Sequence, residues 1–311
     1  MDTNIATYVG NCASLAALLE VSAYPKPGNI HRLSDFPETS YEHFLAGGVA
    51  LGSIMGELSE RASNTRNLGE IRLGEGIKEA VDEMFRWEHG GNTHLGIILL
   101  FAPLSAGAGV ALSRGNLNAE KLREYTKAAI GEATPLDSVD IYAAIDRAMS
   151  NENLGEAKEL DIKDKDSSER IIRENITPLR VFELCRDRDM ICREWVTGFK
   201  TLFETGYPTL IKHVNDGASI NNATIDTFLK ILSENPDSLI IRKMGRKAAQ
   251  QVSYKAHKII EAGGATSNEG NSMLWSLDKE LKREEGKLNP GTTADLTAAS
   301  LFVLVLLGWR P

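Results

Sequence analysis

The chain has 311 residues, of which 42% are hydrophobic, so it can bury a large core and is neither a disordered segment nor a mini-protein. Lys and Arg number 35 against 43 Asp and Glu, a formal net charge of −8. This balance gives no global positive field for a nucleic-acid backbone, and we expect no nucleic-acid partner. An anionic small ligand remains compatible with it, because local amides, one or two cations and a metal suffice to bind one.

The three cysteines, Cys12, Cys185 and Cys192, form neither a CxxC pair nor a cluster with histidines. An odd number of scattered cysteines is typical of free thiols in a reducing compartment. The N-terminal sequence MDTNIATYVG lacks the basic start and the apolar stretch of a secretory signal. We therefore expect free thiols and a cytoplasmic location.

Apolar residues recur along the chain at spacings of three, four and seven, which predicts helices. The predicted helices in chain order are Ala13–Val21, Tyr41–Arg61, Ile71–Trp87, Thr93–Leu112, Ala119–Ile130, Ser138–Met149, Ser168–Leu184, Ile191–Thr205, Ile220–Ser233, Ser238–Ala262, Met273–Arg283 and Thr292–Leu307. The uncharged run Leu95–Leu112 only just reaches the length of a membrane span, and it contains Pro103, Ser105 and three glycines. We expect it to be a buried core helix, and we expect no membrane partner.

No segment shows sustained alternation of apolar and polar residues between turn signals, and none alternates strand with helix. The sequence therefore predicts an all-α fold, a single multi-helix, bundle-like domain of about a dozen helices spanning residues 1–311. The polar stretch NENLGEAKELDIKDKDSS, at about 151–168, predicts a loop that separates two halves of this domain.

The first informative block is EVSAYPKPGN, residues 20–29. Pro25 and Pro27 restrict φ on both sides of Lys26, and Gly28 permits another group to approach the backbone closely. Such a stiff turn can hold an ammonium group in one place. Two prolines and a glycine are also ordinary material for ending a helix, and the block alone leaves that alternative open.

The second block is HGGNTHLG, residues 89–96, where two glycines lead into an apolar helix. The free amides that follow Gly91 and the positive end of the helix dipole are suited to a phosphate. Asn92 or Thr93 could cap the helix instead. His94 could be a phosphate donor, a metal ligand or an acid, or only a satisfied polar side chain.

The third block is NPGTTADL, residues 289–296, again a glycine followed by an apolar helix. Thr292 and Asp295 have nearly the spacing of a capping box, in which the carboxylate would face the free amides of the first turn. The helix is otherwise apolar through Leu307, so the carboxylate of Asp295 should lie at the end of the core and face inward.

In this order, the three blocks resemble the PKPG, NTHKG and NPGGSADL motifs of the triphosphoribosyl-dephospho-CoA synthase family. The intervening stretch Asp237–Gly245, DSLIIRKMG, is also similar to the family's. Members of that family are helical proteins that join ATP to 3'-dephospho-CoA and release adenine. The resemblance therefore implies a transferase that uses ATP as a triphosphoribosyl donor and a dephospho-CoA-like acceptor.

Carried over by position, the resemblance points to nucleotide-binding and catalytic residues in all three blocks. The candidate nucleotide contacts are Lys26, Gly28, Gly91, Asn92, Thr93, Asn289, Gly291 and Thr292. The candidate catalytic residues are Glu20, His94 and Asp295. Displacement of adenine creates an oxocarbenium-like centre, for which glycoside chemistry uses paired carboxylates. Glu20 and Asp295 are that pair, and they are also the candidate ligands for the Mg²⁺ that accompanies ATP.

The sequence departs from the family pattern at Leu95, where the family usually has lysine, and at Thr292 and Thr293, which replace Gly-Ser. The segment after Gly28 also differs, which indicates a divergent branch with a different acceptor. Three alternatives stay open: a ribosyl-phosphate transferase of pterin-type C1-carrier biosynthesis, a Mg²⁺-dependent N-ribosyl hydrolase, and a non-catalytic helical binding protein. A homodimer would be unsurprising for a helical enzyme of this size.

Overall fold

The computed structural model describes residues 4–149 and 167–311, and helices make up most of both ranges. The α-helices of this described part are α1 (Ile5–Ser22), α2 (Tyr41–Asn64), α3 (Leu73–Trp87), α4 (Leu95–Ser113), α5 (Ala119–Gly131), α6 (Pro135–Ala148), α7 (Ser167–Arg173), α8 (Pro178–Cys185), α9 (Met190–Thr197), α10 (Tyr207–Asn215), α11 (Ile220–Glu234), α12 (Ser238–Met244), α13 (Arg246–Glu261), α14 (Asn268–Lys282) and α15 (Gly291–Leu306).

The predicted all-α class is confirmed. Within the two described ranges, extended pairing is confined to a single bridge between His31 and Ser34. Most of the predicted polar loop at about 151–168 lies outside the described residues, and its last two residues, Ser167 and Ser168, belong to α7.

Two long predicted helices are each broken into two. The prediction Ser168–Leu184 is wrong because Pro178 starts a new helix, and the preceding Thr177 is extended, with φ −78° and ψ 162°. A residue before proline avoids the helical region for steric reasons. The prediction Ser238–Ala262 is wrong at Gly245, whose φ of 83° and ψ of 162° separate α12 from α13. Glycine adopts such a conformation without a Cβ clash.

The prediction Ile191–Thr205 also extends too far. The helix α9 ends at Thr197, where Gly198 adopts the left-handed conformation common after a helix. A π-helical segment, Leu202–Gly206, then runs into α10, which periodicity alone did not predict. Pro208 lies in the first turn of α10, directly after the π-helical segment.

The chain divides into two compact units. Unit 1 comprises Met1–Leu15 and Ala46–Phe199, and unit 2 comprises Ala16–Leu45 and Lys200–Pro311. Both are discontinuous in sequence. The single domain in two halves stays a prediction.

In unit 1, α4 is buried along nearly all of its length, as expected of a core helix, and packs against α3 and α5. A Cβ on Gly109 would lie 2.0 Å from the carbonyl oxygen of Ser59 on α2, so glycine permits this close approach of backbones. Trp195 of α9 donates its indole N–H to the carbonyl of Leu99 (3.0 Å). By length and composition α1 and α4 could each cross a membrane, and the apolar window of α4 is mostly buried.

The prediction of three free thiols is wrong for two of the cysteines. Cys185, the last residue of α8, and Cys192, in the first turn of α9, form a disulfide. The short connection between the two helices brings their Cα atoms to 5.8 Å, within the range that a disulfide spans. Cys12 is buried and lies outside this disulfide.

In unit 2, an apolar core forms between α11, α12, α13 and α14, with contributions from Phe228, Ile240, Val252 and Leu277. The helix α15 packs against α10, α11 and α12, and its side chains are buried almost throughout. Polar contacts join the segment after α1 to α14 and to the start of α15, and join the start of α15 to Asp237 before α12. These contacts form the candidate site.

Candidate active site

Lys26 turns back onto the end of α1. Its ammonium donates to the carbonyl oxygen of Glu20 (3.1 Å) and forms a short ion pair with the Glu20 carboxylate. The Lys26 side chain is 0% exposed, so the turn holds its ammonium group inside the protein rather than at the surface. The turn is also attached to α11, because the Asn221 amide donates to the carbonyl of Tyr24 (2.8 Å) and accepts its N–H (3.0 Å).

Burial controls the protonation of this ion pair. Removal from water raises the pKa of Glu20 and lowers the pKa of Lys26, and the attraction between the two groups opposes both shifts. The negative charge of Asp295 also raises the pKa of Lys26, so Asp295 lies within its electrostatic range. The structure therefore brings together Glu20, Lys26 and Asp295, the three charged residues predicted from the first and third blocks.

Gly28 closes the turn in a conformation that requires glycine. Its φ is +74°, and a Cβ there would lie 2.8 Å from Cβ of Leu281 and 2.9 Å from the carbonyl oxygen of Leu288. The next residue, Asn29, donates its side-chain amide to Oδ1 of Asn289 (2.7 Å). This bond joins the first predicted block to the third.

The N–H of Gly28 donates to Oδ1 of Asp278 on α14 (3.0 Å). Oδ2 of Asp278 lies 3.3 Å from Nε2 of His31, and Nζ of Lys282 lies 3.2 Å from Oδ1. Burial alone would raise the pKa of Asp278, but the bond to His31, the charge of Lys282 and the Gly28 amide lower it overall. Burial lowers the pKa values of both His31 and Lys282.

The start of α15 is held by a residue that the sequence analysis did not single out. Oδ2 of Asp237 accepts both the N–H (2.8 Å) and the hydroxyl (2.7 Å) of Thr293. Oδ1 of the same carboxylate caps α12 through the N–H groups of Leu239 (2.8 Å) and Ile240 (3.2 Å). Burial raises the pKa of Asp237, and these four donors oppose that shift. One buried carboxylate thus joins the N-termini of two helices.

This arrangement excludes the capping box that the third block resembled. The helix begins at Gly291, so Asp295 is its fifth residue rather than its third. The hydroxyl of Thr292 accepts a hydrogen bond from Ser238 (3.0 Å), which is again a contact to α12. The cap comes from Asp237, and Asp295 is left with a position one turn into the helix.

The second predicted block lies in unit 1 and forms a network of its own. Gly91 is exposed, with φ +88°, and the side chain of Asn92 accepts the N–H of Leu95 (3.1 Å). The N-cap position of α4 is His94, and the side chain of Asn92 satisfies the first free amide of the helix from two residues before it. The hydroxyl of Thr93 lies 2.8 Å from Nδ1 of His94 and donates to Glu88, a buried carboxylate (3.2 Å).

His94 is 1% exposed, and burial lowers its pKa to about 3. Its imidazole is therefore neutral at physiological pH. A neutral ring can donate or accept one hydrogen bond, but it supplies no positive charge to a phosphate. Of the roles considered for His94, the geometry favours a hydrogen-bonding one.

Comparison with known proteins identifies the family of this chain. The sequence profile of the ATP:dephospho-CoA triphosphoribosyl transferase family matches residues 6–310. This chain belongs to that family. A Pseudomonas fluorescens (strain Pf0-1) protein and a Vibrio cholerae protein, both assigned as 2-(5''-triphosphoribosyl)-3'-dephosphocoenzyme-A synthases, are 23% and 24% identical to it over 305 and 307 residues. These matches cover 96% of this chain and 91% and 88% of those proteins.

A shorter match, 33% identical over 106 residues, joins the chain to a Stutzerimonas stutzeri protein of the same assigned activity. It spans 34% of this chain and about a third of that protein, at 36%. A crystal structure from Archaeoglobus fulgidus, of a protein assigned as a triphosphoribosyl-dephospho-CoA synthase, superposes with a TM-score of 0.64 at 26% identity. It covers 86% of this chain and 100% of the archaeal chain.

Membership of the ATP:dephospho-CoA triphosphoribosyl transferase family confirms the resemblance read from the three blocks, and with it the prediction of a transferase. The three alternatives, a pterin-pathway transferase, an N-ribosyl hydrolase and a binding protein, gain no support from these relatives. The individual site residues stay predictions. What the structure adds is their grouping, with Glu20, Lys26 and Asp295 in unit 2 and His94 in unit 1.

The described side chains offer few ligands for a metal ion. Among the described residues, no three His, Cys, Asp or Glu side chains are grouped closely enough to hold one by themselves. Mg²⁺ commonly uses only one or two carboxylates together with substrate phosphates and water, so a pair is sufficient. Glu20 is buried against Lys26, whereas Asp295 is partly exposed. A substrate-bound ion could therefore reach Asp295 more readily than Glu20.

Proposed function

We propose that this chain transfers the 5-triphosphoribosyl group of ATP to a hydroxyl of 3'-dephospho-CoA or a related acceptor. The bond between ribose C1' and adenine N9 breaks, and a bond between C1' and the acceptor oxygen forms. The hydroxyl proton ends on the released adenine. The observation that carries this proposal is a family match over residues 6–310 in a chain whose predicted blocks 1 and 3 meet through contacts in unit 2.

The developing positive charge at C1' would be stabilised by a carboxylate in a site of low polarity. Asp295 is partly exposed in the first turns of an apolar helix, so a substrate could reach it while its surroundings remain largely dry. Glu20 is buried and forms an ion pair with Lys26. We assign Asp295 to direct contact with the ribose or its phosphates, and the Glu20–Lys26 pair to the electrostatics beneath it.

Mg²⁺ fits this assignment as a partner of the triphosphate. Asp295 would hold it, whereas Glu20, the other predicted ligand, is buried against Lys26 and would act through its charge. When bound, the ion would neutralise phosphate charge. The residues of the chain do the rest: Lys26 keeps Glu20 in place, and the Asn29–Asn289 bond fixes the turn against α15.

The acceptor is the finer part of the proposal. Dephospho-CoA is the acceptor that the relatives' assigned activity implies. Leu95 stands where the family usually has lysine, and the segment after Gly28 differs from the family pattern. The acceptor is therefore the substrate for which we expect this chain to differ most from other family members.

The test is incubation of the full chain with ATP, Mg²⁺ and 3'-dephospho-CoA, followed by mass spectrometry. We expect free adenine and a product heavier than the acceptor by one triphosphoribosyl group. A parallel reaction with coenzyme A, whose 3'-hydroxyl carries a phosphate, examines acceptor choice, and one without acceptor examines hydrolysis. Adenine release that is equally fast without acceptor would overturn the transferase proposal in favour of hydrolysis.

A further inference from the structure

We propose that Asp278, on α14, is a positioning residue that fixes the turn carrying Lys26 and thereby the charged pair of the active site. This inference deepens the proposed function and rests on it for its kinetic consequence. Asp278 was not among the predicted site residues. It is 4% exposed and therefore acts on substrate only through the groups that it holds.

The contact that carries the proposal is the hydrogen bond from the Gly28 N–H to Oδ1 of Asp278 (3.0 Å). A bond to an ionised acceptor is about twice as strong as one between neutral groups. Gly28 lies two residues after Lys26, and its positive φ turns the chain at this point. Leu281, one turn further along α14, leaves no room for a Cβ on Gly28. The turn is thus seated on α14 by both packing and charge.

The surroundings of Asp278 keep its carboxylate ionised and oriented. Nδ1 of His31 accepts the N–H of Leu33 (3.3 Å), and Nε2 lies 3.3 Å from Oδ2 of Asp278. Nζ of Lys282 lies 2.9 Å from that ring nitrogen and 3.2 Å from Oδ1. The Gly28 amide, His31 and Lys282 therefore meet at one buried negative charge, and of these only Gly28 was a predicted site residue.

The cluster is electrostatically continuous with the predicted catalytic pair. The positive charge of Lys26 contributes to lowering the pKa values of His31 and of Lys282, so these groups lie within its electrostatic range. A shift of the turn would move Lys26 relative to Glu20 and Asp295. Misplacement of a reacting arrangement by about 1 Å can cost on the order of 100-fold in rate.

A matched control exists in the same unit. Asp226, on α11, is 6% exposed, accepts a backbone N–H from Ala265 (2.7 Å) and lies 3.8 Å from Nδ1 of His213. It resembles Asp278 in burial and in partners, but its amide partner belongs to the segment Gly264–Thr266 and to none of the three blocks. The comparison is therefore Asp278→Asn against Asp226→Asn in the full chain.

Hydrogen exchange measured by mass spectrometry tests the positioning without reference to activity. We expect Asp278→Asn to speed exchange in the peptide covering residues 24–32 by on the order of tenfold, the effect of losing one charge-assisted hydrogen bond. Asp226→Asn should speed exchange around residues 263–267 and leave 24–32 unchanged. Unchanged exchange at 24–32 in Asp278→Asn would overturn the proposal.

The kinetic arm uses the adenine-release assay. We expect Asp278→Asn to lower kcat by roughly 10- to 100-fold, with an ATP dissociation constant within about threefold of the unsubstituted chain, whereas Asp226→Asn keeps its kcat. Equal kcat values for the two variants would overturn the proposal. If Asp278→Asn does not fold, Asp278→Glu keeps the charge but displaces it by one methylene, and wild-type kcat in that variant would be equally damaging. A wild-type chain that releases no adenine refutes the proposed function, and the exchange result still decides the positioning.

Discussion

Two apolar helices of this protein, α4 and α15, begin in glycine-containing blocks, yet the free amides of their first turns are satisfied differently. In unit 1, the first amide of α4, that of Leu95, donates to the side chain of Asn92, three residues earlier in the chain. In unit 2, the first turn of α15 is capped by Asp237, which reaches Thr293 from another helix. The comparison teaches that a local cap can be proposed from sequence, whereas a cap supplied from a distance cannot.

The two regions also differ in charge. The second block contains a histidine that burial keeps neutral, next to the threonine hydroxyl of Thr93. The cluster in unit 2 contains the pair Glu20 and Lys26, with Asp295 in electrostatic range. Charged chemistry is therefore expected to depend on unit 2, and the region around His94 to contribute through hydrogen bonds and shape.

The largest effect is expected from removing a charge in unit 2. Asp295→Asn preserves size and removes the charge, and we expect turnover to fall on the order of 10²- to 10⁴-fold while the fold survives. Adenine release and thermal melting, measured on the same preparation, check this. A variant that melts normally and retains more than about half of its activity would show that Asp295 is not part of the chemistry.

The next effect concerns the buried pair. Lys26→Met leaves the Glu20 carboxylate buried without its partner, and we expect the free energy of unfolding to fall by roughly 3 to 5 kcal/mol. The measurement is urea denaturation at neutral pH. The double variant Lys26→Met with Glu20→Gln removes both charges and should recover much of that loss.

The double variant is the control for this prediction. Because the two groups are in contact, their effects should be strongly non-additive. Losses that simply add, or a Lys26→Met variant destabilised by less than about 1 kcal/mol, would contradict a buried, mutually dependent pair.

A smaller effect, on the pH dependence of stability, is expected from the neutral histidine His94 in unit 1. The folded pKa of His94 is lowered to about 3, from an ordinary value of 6.5, so the unfolded chain binds the extra proton between these values. Stability attributable to His94 is therefore present above about pH 6.5 and is lost as pH falls toward about 3. Between pH 7 and pH 5, unfolding free energy should fall roughly 2 kcal/mol further in the unsubstituted chain than in His94→Gln. Parallel pH dependences would show that His94 titrates normally.

Much of the fold follows from residues that act locally. Pro178 and Gly245 are visible in the sequence as helix-breaking residues. In the structure they end the helices despite the apolar periodicity that continues past them. The turn at Lys26 was recognisable from its two prolines. Its burial was not, because the partner that seats the turn, Asp278, lies 250 residues from Gly28.

For the same reason, the sequence predicted some residues of the site and missed others. Blocks 1 and 3 could be named from short patterns, since each is contiguous. Asp237, which begins the recognised stretch Asp237–Gly245, gives no local sign of its contact to Thr293, and Asp278 is a single aspartate within a helix. Only the folded chain shows which amides they accept.

The smallest expected effect tests whether the capped start of α4 also receives phosphate. Asn92→Asp keeps a side-chain oxygen that can accept the N–H of Leu95, so stability should stay within about 0.5 kcal/mol of the unsubstituted chain, but it places a negative charge beside the amides predicted to bind ATP. We expect ATP affinity, measured by calorimetry with Mg²⁺, to fall by about tenfold. Asn118→Asp is the matched control, because Asn118 is also exposed and caps α5 of the same unit through the N–H of Lys121 (2.9 Å). It should change neither stability nor ATP affinity. If Asn92→Asp binds ATP as tightly as Asn118→Asp does, the amides after Gly91 serve the helix alone, and the triphosphate must be held by other groups.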